Sequence, residues 1–295
     1  MKKRSFLNLC LAAAAARGAS VFASATGASR LYFNHATIYV TPATYRAIVS
    51  NAFLRNEFVN FEEKTTVRDG GRTRYTGAYL YGARTYLEFC EASSPAELGQ
   101  VEPGFWMNRQ SDLESLLNPL KKLPGAHPVV EQATIPLGGV EVPWFKDIDI
   151  AWDPVPADLK VLPWVMSVFP GYLKAKYPDL TPDEDGETRE KQNARRFDRS
   201  RLFADISQFT VTTNTHEAQM LAATLAAFGL PSATRGDGQS FDADDVNIIV
   251  RDAPAAGRSV SWRLRLNRPV PRQTIVLGDS ALTLDGSGAE WLFTG

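Results

Sequence analysis

The sequence predicts an α+β fold built from repeated βαβββ modules with mostly antiparallel sheets. Three observations predict it. A strand, a helix and three further strands follow one another between residues 31 and 90. The same order of elements recurs from residue 104 and again from residue 205. The composition is that of an ordinary globular chain: 295 residues, 44% hydrophobic and 22% charged, which excludes collagen, coiled coil and wholesale disorder. At about 150 residues per domain, the length allows one large domain or two ordinary ones. A net charge of -1 argues against a nucleic-acid binder, which presents a basic face.

Residues 1–25 read as a signal peptide. Lys2, Lys3 and Arg4 form a positive start, Leu7 to Ala16 is apolar and alanine-rich, and Ala23-Ser24-Ala25 is a small-residue cleavage site. Asn8 and Arg17 interrupt the apolar run, which is too short to span a bilayer, so no membrane anchor is expected after cleavage. Lys3-Arg4-Ser5-Phe6-Leu7-Asn8 resembles the twin-arginine export motif with lysine for the first arginine. Export to the periplasm or the exterior, by the Sec or the twin-arginine route, is the expectation. Cleavage removes Cys10 and leaves Cys90 alone, expected as a buried small hydrophobe.

The first module opens with a strand at Leu31–Val40. Thr41 is placed to cap a helix and Pro42 to begin it, and Tyr45, Ile48, Val49 and Phe53 carry helical spacing to about Asn56. Strands are expected at Phe58–Val67, Arg74–Tyr81 and Thr85–Cys90, with turns at Asp69-Gly70-Gly71 and Gly82-Ala83. The second module has a strand at Gly104–Arg109, then an amphipathic helix capped by Ser111 and holding Leu113, Leu116, Leu117 and Leu120. A hairpin at Val129–Leu137 and Val140–Trp152 follows, and a fourth strand at Leu162–Phe169. Residues 31–180 are thus expected to form a paired-module domain. Residues 181–201 carry six acids and six bases and read as a solvated linker or surface loop.

Residues 202–295 are expected to form a third, related module that packs on the pair or mediates a homodimer. Its strand at Ile206–Thr213 leads to a helix at Thr215–Phe228, with Asn214 and Glu217 as a capping box and Gly229 and Pro231 as the stop. Strands follow at Val246–Val250, Val260–Leu266, Thr274–Leu277, Leu282–Leu284 and Trp291–Phe293. Gly278-Asp279-Ser280 looks like an esterase nucleophile block, but no histidine follows it to activate the serine, so it reads as a turn.

Strand alternation sorts the side chains of the first module. Tyr86, Glu88 and Cys90 share one face of the fourth strand, and Leu87 and Phe89 the other. Phe33, His35, Thr37 and Tyr39 share a face of the first strand. Tyr75, Tyr79 and Tyr81 alternate with Ala78 and Leu80 in the third. One face of each strand suits core packing; the other, rich in tyrosine, suits a ligand cup. His35 reads equally as a core histidine hydrogen-bonded to Glu88.

With Asn34-His35 in its first strand and Tyr86-Leu87-Glu88-Phe89 in its fourth, the first repeat resembles a module of the vicinal oxygen chelate superfamily. That superfamily includes glyoxalase I, extradiol dioxygenases and bleomycin-resistance proteins. The segment Arg74–Gly82 through Thr85-Tyr86 also looks like an uncharacterised family of glyoxalase-like bacterial proteins. The resemblance implies a cupped half-barrel from two paired modules. It makes His35 and Glu88 candidate ligands of one divalent transition metal (zinc, iron, manganese or nickel), or of none. Tyr75, Tyr79, Tyr81 and Tyr86 would line a small-molecule pocket, and catalytic residues stay unassigned. The second repeat departs from the pattern, offering Trp106, Met107 and Asn108 in its first strand and Met166, Ser167 and Val168 in its fourth. Three functions therefore stand open: a metal-assisted lyase, isomerase or dioxygenase; a metal-free binder that sequesters a small molecule; and a structural or interaction module of the cell envelope.

Overall fold

Two of the βαβββ modules share one sheet. In this computed structural model, residues 31–294 are described, apart from 158, 183–184, 237 and 254–257; the expected signal peptide lies outside the described residues. The first module is β1 (Leu31–Val40), α1 (Pro42–Val49), β2 (Asn60–Arg68), β3 (Thr73–Tyr81) and β4 (Tyr86–Glu91). The second is β5 (Val101–Met107), short helical pieces α2 (Gln110–Leu113) and α3 (Leu117–Leu120), β6 (Ala126–Leu137), β7 (Val140–Trp152) and β8 (Trp164–Val168). Their strands form one eight-stranded sheet in the order β2-β3-β4-β1-β5-β8-β7-β6. The modules meet where β1 and β5 pair antiparallel, and within each module the first and fourth strands run parallel. The sheet curls into a half-barrel. Its opposite edges are drawn together at Asp69, whose Oδ1 accepts from the Thr134 amide of β6 at 2.9 Å.

After α4 (Pro170–Lys176) and α5 (Arg189–Asn193) the pattern returns as β9 (Phe203–Thr213), α6 (Thr215–Ala227), β10 (Ser232–Arg235), β11 (Gly238–Ala243) and β12 (Val246–Asp252). The long strands β13 (Ser259–Leu277) and β14 (Ser280–Thr294) complete a sheet ordered β10-β11-β12-β9-β13-β14. Here β13 lies beside β9 as β5 lies beside β1. Nothing in Ser232-Ala233-Thr234-Arg235 but one threonine favours a strand, so the β10–β11 hairpin escapes the sequence reading. Among the described residues no helix is long and apolar enough to cross a membrane.

The caps expected at Thr41 and Asn214 form, but Ser111 caps nothing: its helix starts one residue earlier at Gln110 without a side-chain cap, and the Ser111 hydroxyl donates to Asp185 instead. Thr41 Oγ1 accepts from the Thr44 amide at 3.2 Å, and Asn214 Oδ1 from the Glu217 amide at 2.9 Å. Helix α1 nevertheless stops at Val49 rather than Asn56. Ser50 Oγ donates to the Arg46 carbonyl and Asn51 Oδ1 accepts from the Leu54 amide, diverting the chain into one wide turn over Leu54–Phe58.

The core lies between the outer face of the curled sheet and the inner face of the second sheet. Phe89 of β4 sits 5.0 Å from Trp291, 5.5 Å from Phe293 and 5.9 Å from Trp262, ring to ring. Phe33 meets Phe209 at 5.5 Å, and Phe58 meets Phe203 at 5.8 Å. Each such side chain contributes roughly 1.5–3 kcal/mol by leaving water.

The β13–β14 hairpin folds back on itself. Trp291 Nε1 donates to Ser280 Oγ at 3.1 Å, although a straight strand would hold residues eleven apart at roughly 36 Å. The bend falls where the pairing register slips, between Arg265 and Gln273, around Pro269 and Pro271. The folded arm buries Leu277, Leu282 and Leu284. Its tip closes on α1: Asp279 Oδ2 accepts from the hydroxyls of Thr41 (2.9 Å) and Thr44 (3.0 Å). Gly278-Asp279-Ser280 is therefore a docking turn, and Ser280 is a buried structural residue.

Two sequence expectations need correction. The segment 181–201 is not a wholly solvated linker: Glu187, Arg189 and Asn193 are buried. Arg189 shows how a buried charge is tolerated, by pairing inside the protein. Arg189 donates through Nη1 to the Phe33 carbonyl and through Nη2 to Asp245 Oδ1 (2.5 Å), and its guanidinium lies 4.9 Å over the Tyr32 ring. Asp245 also pairs with Arg84 at 2.9 Å. The second correction concerns Phe33, which does not share the face of His35. Phe33 pairs with Phe105 and His35 with Gly104, so Asn34 is an extra residue that reverses the alternation, and Phe33 enters the core.

Replacing Arg189 with methionine keeps the bulk and removes both clasps. Urea unfolding should show a loss of about 3 kcal/mol, the cost of stranding a buried partner. A loss under about 1 kcal/mol, as for an exposed ion pair, would show that the clasp is not structural.

Candidate functional site

The inner face of the half-barrel encloses a cavity of about 550 Å³. His35, Glu88, Tyr75, Tyr79, Tyr81 and Tyr86 all line it, as do Asn34 and Thr37. Because Asn34 is the bulge residue, it and His35 both face inward. A one-residue slip in a strand normally sends neighbours to opposite faces; the bulge delivers two adjacent polar side chains to the same cup.

His35 is held on all sides. Its ring stacks on Tyr86 at 4.4 Å, meets Trp164 edge-on at 5.5 Å, and rests against the β5 backbone at Gly104. A Cβ at Gly104 would fall 2.7 Å from Nδ1, so glycine is required opposite the imidazole. Asn34 Nδ2 lies 3.2 Å from Nδ1 and donates to it, which leaves the ring proton on Nε2. Nε2 faces Glu88 Oε2 at 3.8 Å.

Burial decides the charge of this pair. It pushes the imidazole down to about 3, so His35 is neutral at physiological pH. Burial, reinforced by the charge of Glu102, lifts the Glu88 carboxyl to about 7 against hydrogen bonds from Tyr79 and Thr37. The contact is therefore not a standing ion pair but a neutral imidazole beside a carboxyl near half-protonation. The phenols of Tyr75, Tyr79, Tyr81 and Tyr86 are all pushed up, by burial first and by the Glu88 charge as a further cause, and remain neutral donors.

These residues do not fit a transition-metal centre. A histidine and a glutamate are two donors, and such ions take at least three from protein. Across β1 from the pair the second module offers Gly104 opposite His35 and Glu102 opposite Thr37, with Trp106, Trp164 and Met166 also lining the cup. Among the described residues no group of three histidines, cysteines or acids is close enough to hold an ion.

The remaining wall comes largely from the second module: Glu102, Trp144, Asp147, Asp149, Trp152 and Trp164. Arg196, from the segment read as a linker, also lines it and lies 4.9 Å over the Tyr81 ring. The sequence reading missed Asp147 and Asp149 because acids alternating with Ile148 and Ile150 look like the wet face of a strand. The curl of the sheet brings both to the cavity and buries Asp147, while Asp149 stays exposed. No local signal encodes the curl; only the pairing of two modules does.

The raised Glu88 carboxyl sets a sign for stability. Folded Glu88 holds its proton to a higher pH than the unfolded chain does, so its contribution is full below about pH 4.5 and lost as pH rises through about 7. Glu88→Gln should therefore raise stability over the native protein at pH 8, by roughly 2 kcal/mol, with the advantage vanishing near pH 5. Thermal unfolding at the two pH values measures it; an advantage of equal size at both would mean that Glu88 is not buried as an acid.

No curated protein sequence matches the chain. Among solved structures, a hypothetical protein from Staphylococcus aureus aligns at 13% identity over 84% of this chain and 95% of that one, with a TM-score of 0.52. That similarity shows a shared fold. A mutant of 4-hydroxymandelate synthase from Streptomyces coelicolor aligns at 16% identity over 75% of this chain and 62% of that one, with a TM-score of 0.36. A family described as of unknown function, DUF5829, matches residues 33–293. Spanning nearly every element from β1 to β14, that match means the chain belongs to DUF5829.

Proposed function

We propose that this protein binds a small organic molecule in the cup, with no transition metal required by His35 and Glu88. One observation carries the reading: the cavity wall holds buried polar atoms that no protein group satisfies. Asn34 Oδ1, Asp147 Oδ1 and Trp164 Nε1 all lack hydrogen-bond partners among the described residues. Asn34 and Asp147 are 1% and 5% exposed, so neither is served by bulk solvent. Buried polar atoms are nearly always paired, and groups left open around a cavity of this size are matched by what enters it. The aromatic walls supply contact area and the open polar atoms supply direction.

A second observation favours chemistry on the bound molecule. A carboxyl near 7, as at Glu88, can both take and give a proton at physiological pH. That step needs no metal.

Elemental mass spectrometry of the untagged protein from its native source, beside native mass spectrometry before and after chelation, tests the reading. The expected result is well under one transition-metal ion per chain and a small-molecule adduct that survives the chelator. About one ion per chain, lost in a folded His35→Ala/Glu88→Ala variant, would overturn it, because a stoichiometric ion implies a built site.

A further inference from the structure

The second module's side of the cup differs from the tyrosine side in its charge. Asp147 and Asp149 project inward from β7, and Glu102 from β5. Among the described residues none of the three is joined to a basic side chain. The nearest cation in the wall, Arg68, is engaged elsewhere: its guanidinium pairs with Asp69 at 3.0 Å and lies 5.8 Å over the Phe145 ring.

Acids gathered in a cavity do not by themselves make a site. Here a separate observation points to a ligand. Asp147 is 95% buried by its 5% exposure, lines the cavity, and leaves Oδ1 without a partner. Asn34 Oδ1, inward-facing from β1, is a second open acceptor. The open groups are thus mostly acceptors, and the ligand must bring donors. Trp152 and Trp164 line the same cavity, and aromatic rings attract organic cations.

We propose that this half of the cup is a cation subsite that takes a protonated amine of the bound molecule, with Asp147 and Asp149 as its charge partners. The inference rests on the cup-binding reading and narrows it to ligands carrying an organic ammonium group. Energetics agree. Burial, with the neighbouring Asp149 and Glu131 charges, lifts Asp147 to about 7 despite Arg68. Burial likewise lifts Asp149, where Glu131 adds to it and Arg68 offsets it, and Glu102, where Asp149 contributes. An arriving cation relieves that repulsion, whereas a carboxylate would add to it.

The test is a titration of the cup's tryptophan fluorescence with matched arylalkyl probes: phenethylamine, 2-phenylethanol and hydrocinnamate. The amine should bind at least about tenfold tighter than the alcohol, and the carboxylate weakest. Asp147→Asn/Asp149→Asn should erase the preference for the amine while alcohol binding persists, which shows that the cup is intact. If that variant fails to fold by circular dichroism, Asp149→Asn alone should cut the preference at least about threefold. Alcohol or carboxylate binding as tight as the amine, or a folded variant that keeps the preference, overturns the subsite and leaves the cup reading standing. Saturable binding by none of the three overturns the cup reading itself.

Discussion

The extra residue at Asn34, clasped from behind by Arg189, is the constraint on which the architecture turns. β1 is a central strand, paired on both sides, so any change of phase in it is felt across the sheet. Before the bulge Leu31 and Phe33 face the core; after it Ala36, Ile38 and Val40 do. A regular strand would have sent one of these sets into the cup and withdrawn the other polar set from it. Arg189 grips the Phe33 carbonyl at the irregularity and passes the load to Asp245 on the turn between β11 and β12. The geometry of the site and the attachment of the third module therefore share one side chain.

Once that phase is fixed, the two faces of the curled sheet diverge. The outer face is dry and aromatic and is covered by the second sheet. The inner face collects His35, Glu88, Glu102 and Asp147 in a low-dielectric space where charge is disfavoured, with Asp149 at a more exposed position. The protein responds mainly by moving proton affinities: a neutral imidazole, carboxyls lifted towards neutrality and phenols that stay protonated. Among the described residues none of these acids is paired with a lysine or arginine. Ion pairs form instead where modules join, as at Asp205, whose Oδ2 pairs with Arg84 Nε at 3.3 Å while its Oδ1 accepts from the Arg84 and Thr85 amides at 2.9 Å and the Thr85 hydroxyl at 2.8 Å.

Much of this was legible because its causes are local. The caps at Thr41 and Asn214, the period-two strands of the first module and the inward set of His35, Glu88 and four tyrosines all follow from neighbouring residues. What was hidden depends on distant ones. At the bulge the Phe33 carbonyl accepts from the Arg189 guanidinium, far along the chain. The burial of Arg189 needs Asp245. The acidic half of the cup reads as solvent-facing until β2 and β6 are drawn together. Pro269 and Pro271 look like breaks between separate strands, yet they mark a bend within one folded hairpin.

That hairpin bears on how the chain assembles during synthesis. Its tip grips Thr41 and Thr44, more than two hundred residues upstream. At ribosomal rates the interval between the emergence of α1 and of its clasp is on the order of tens of seconds. Through that interval Phe58 and Phe89 lack Trp291, and Phe33 lacks Phe209 for most of it. The outer wall of the half-barrel therefore gains its full cover only when the last strands have been made.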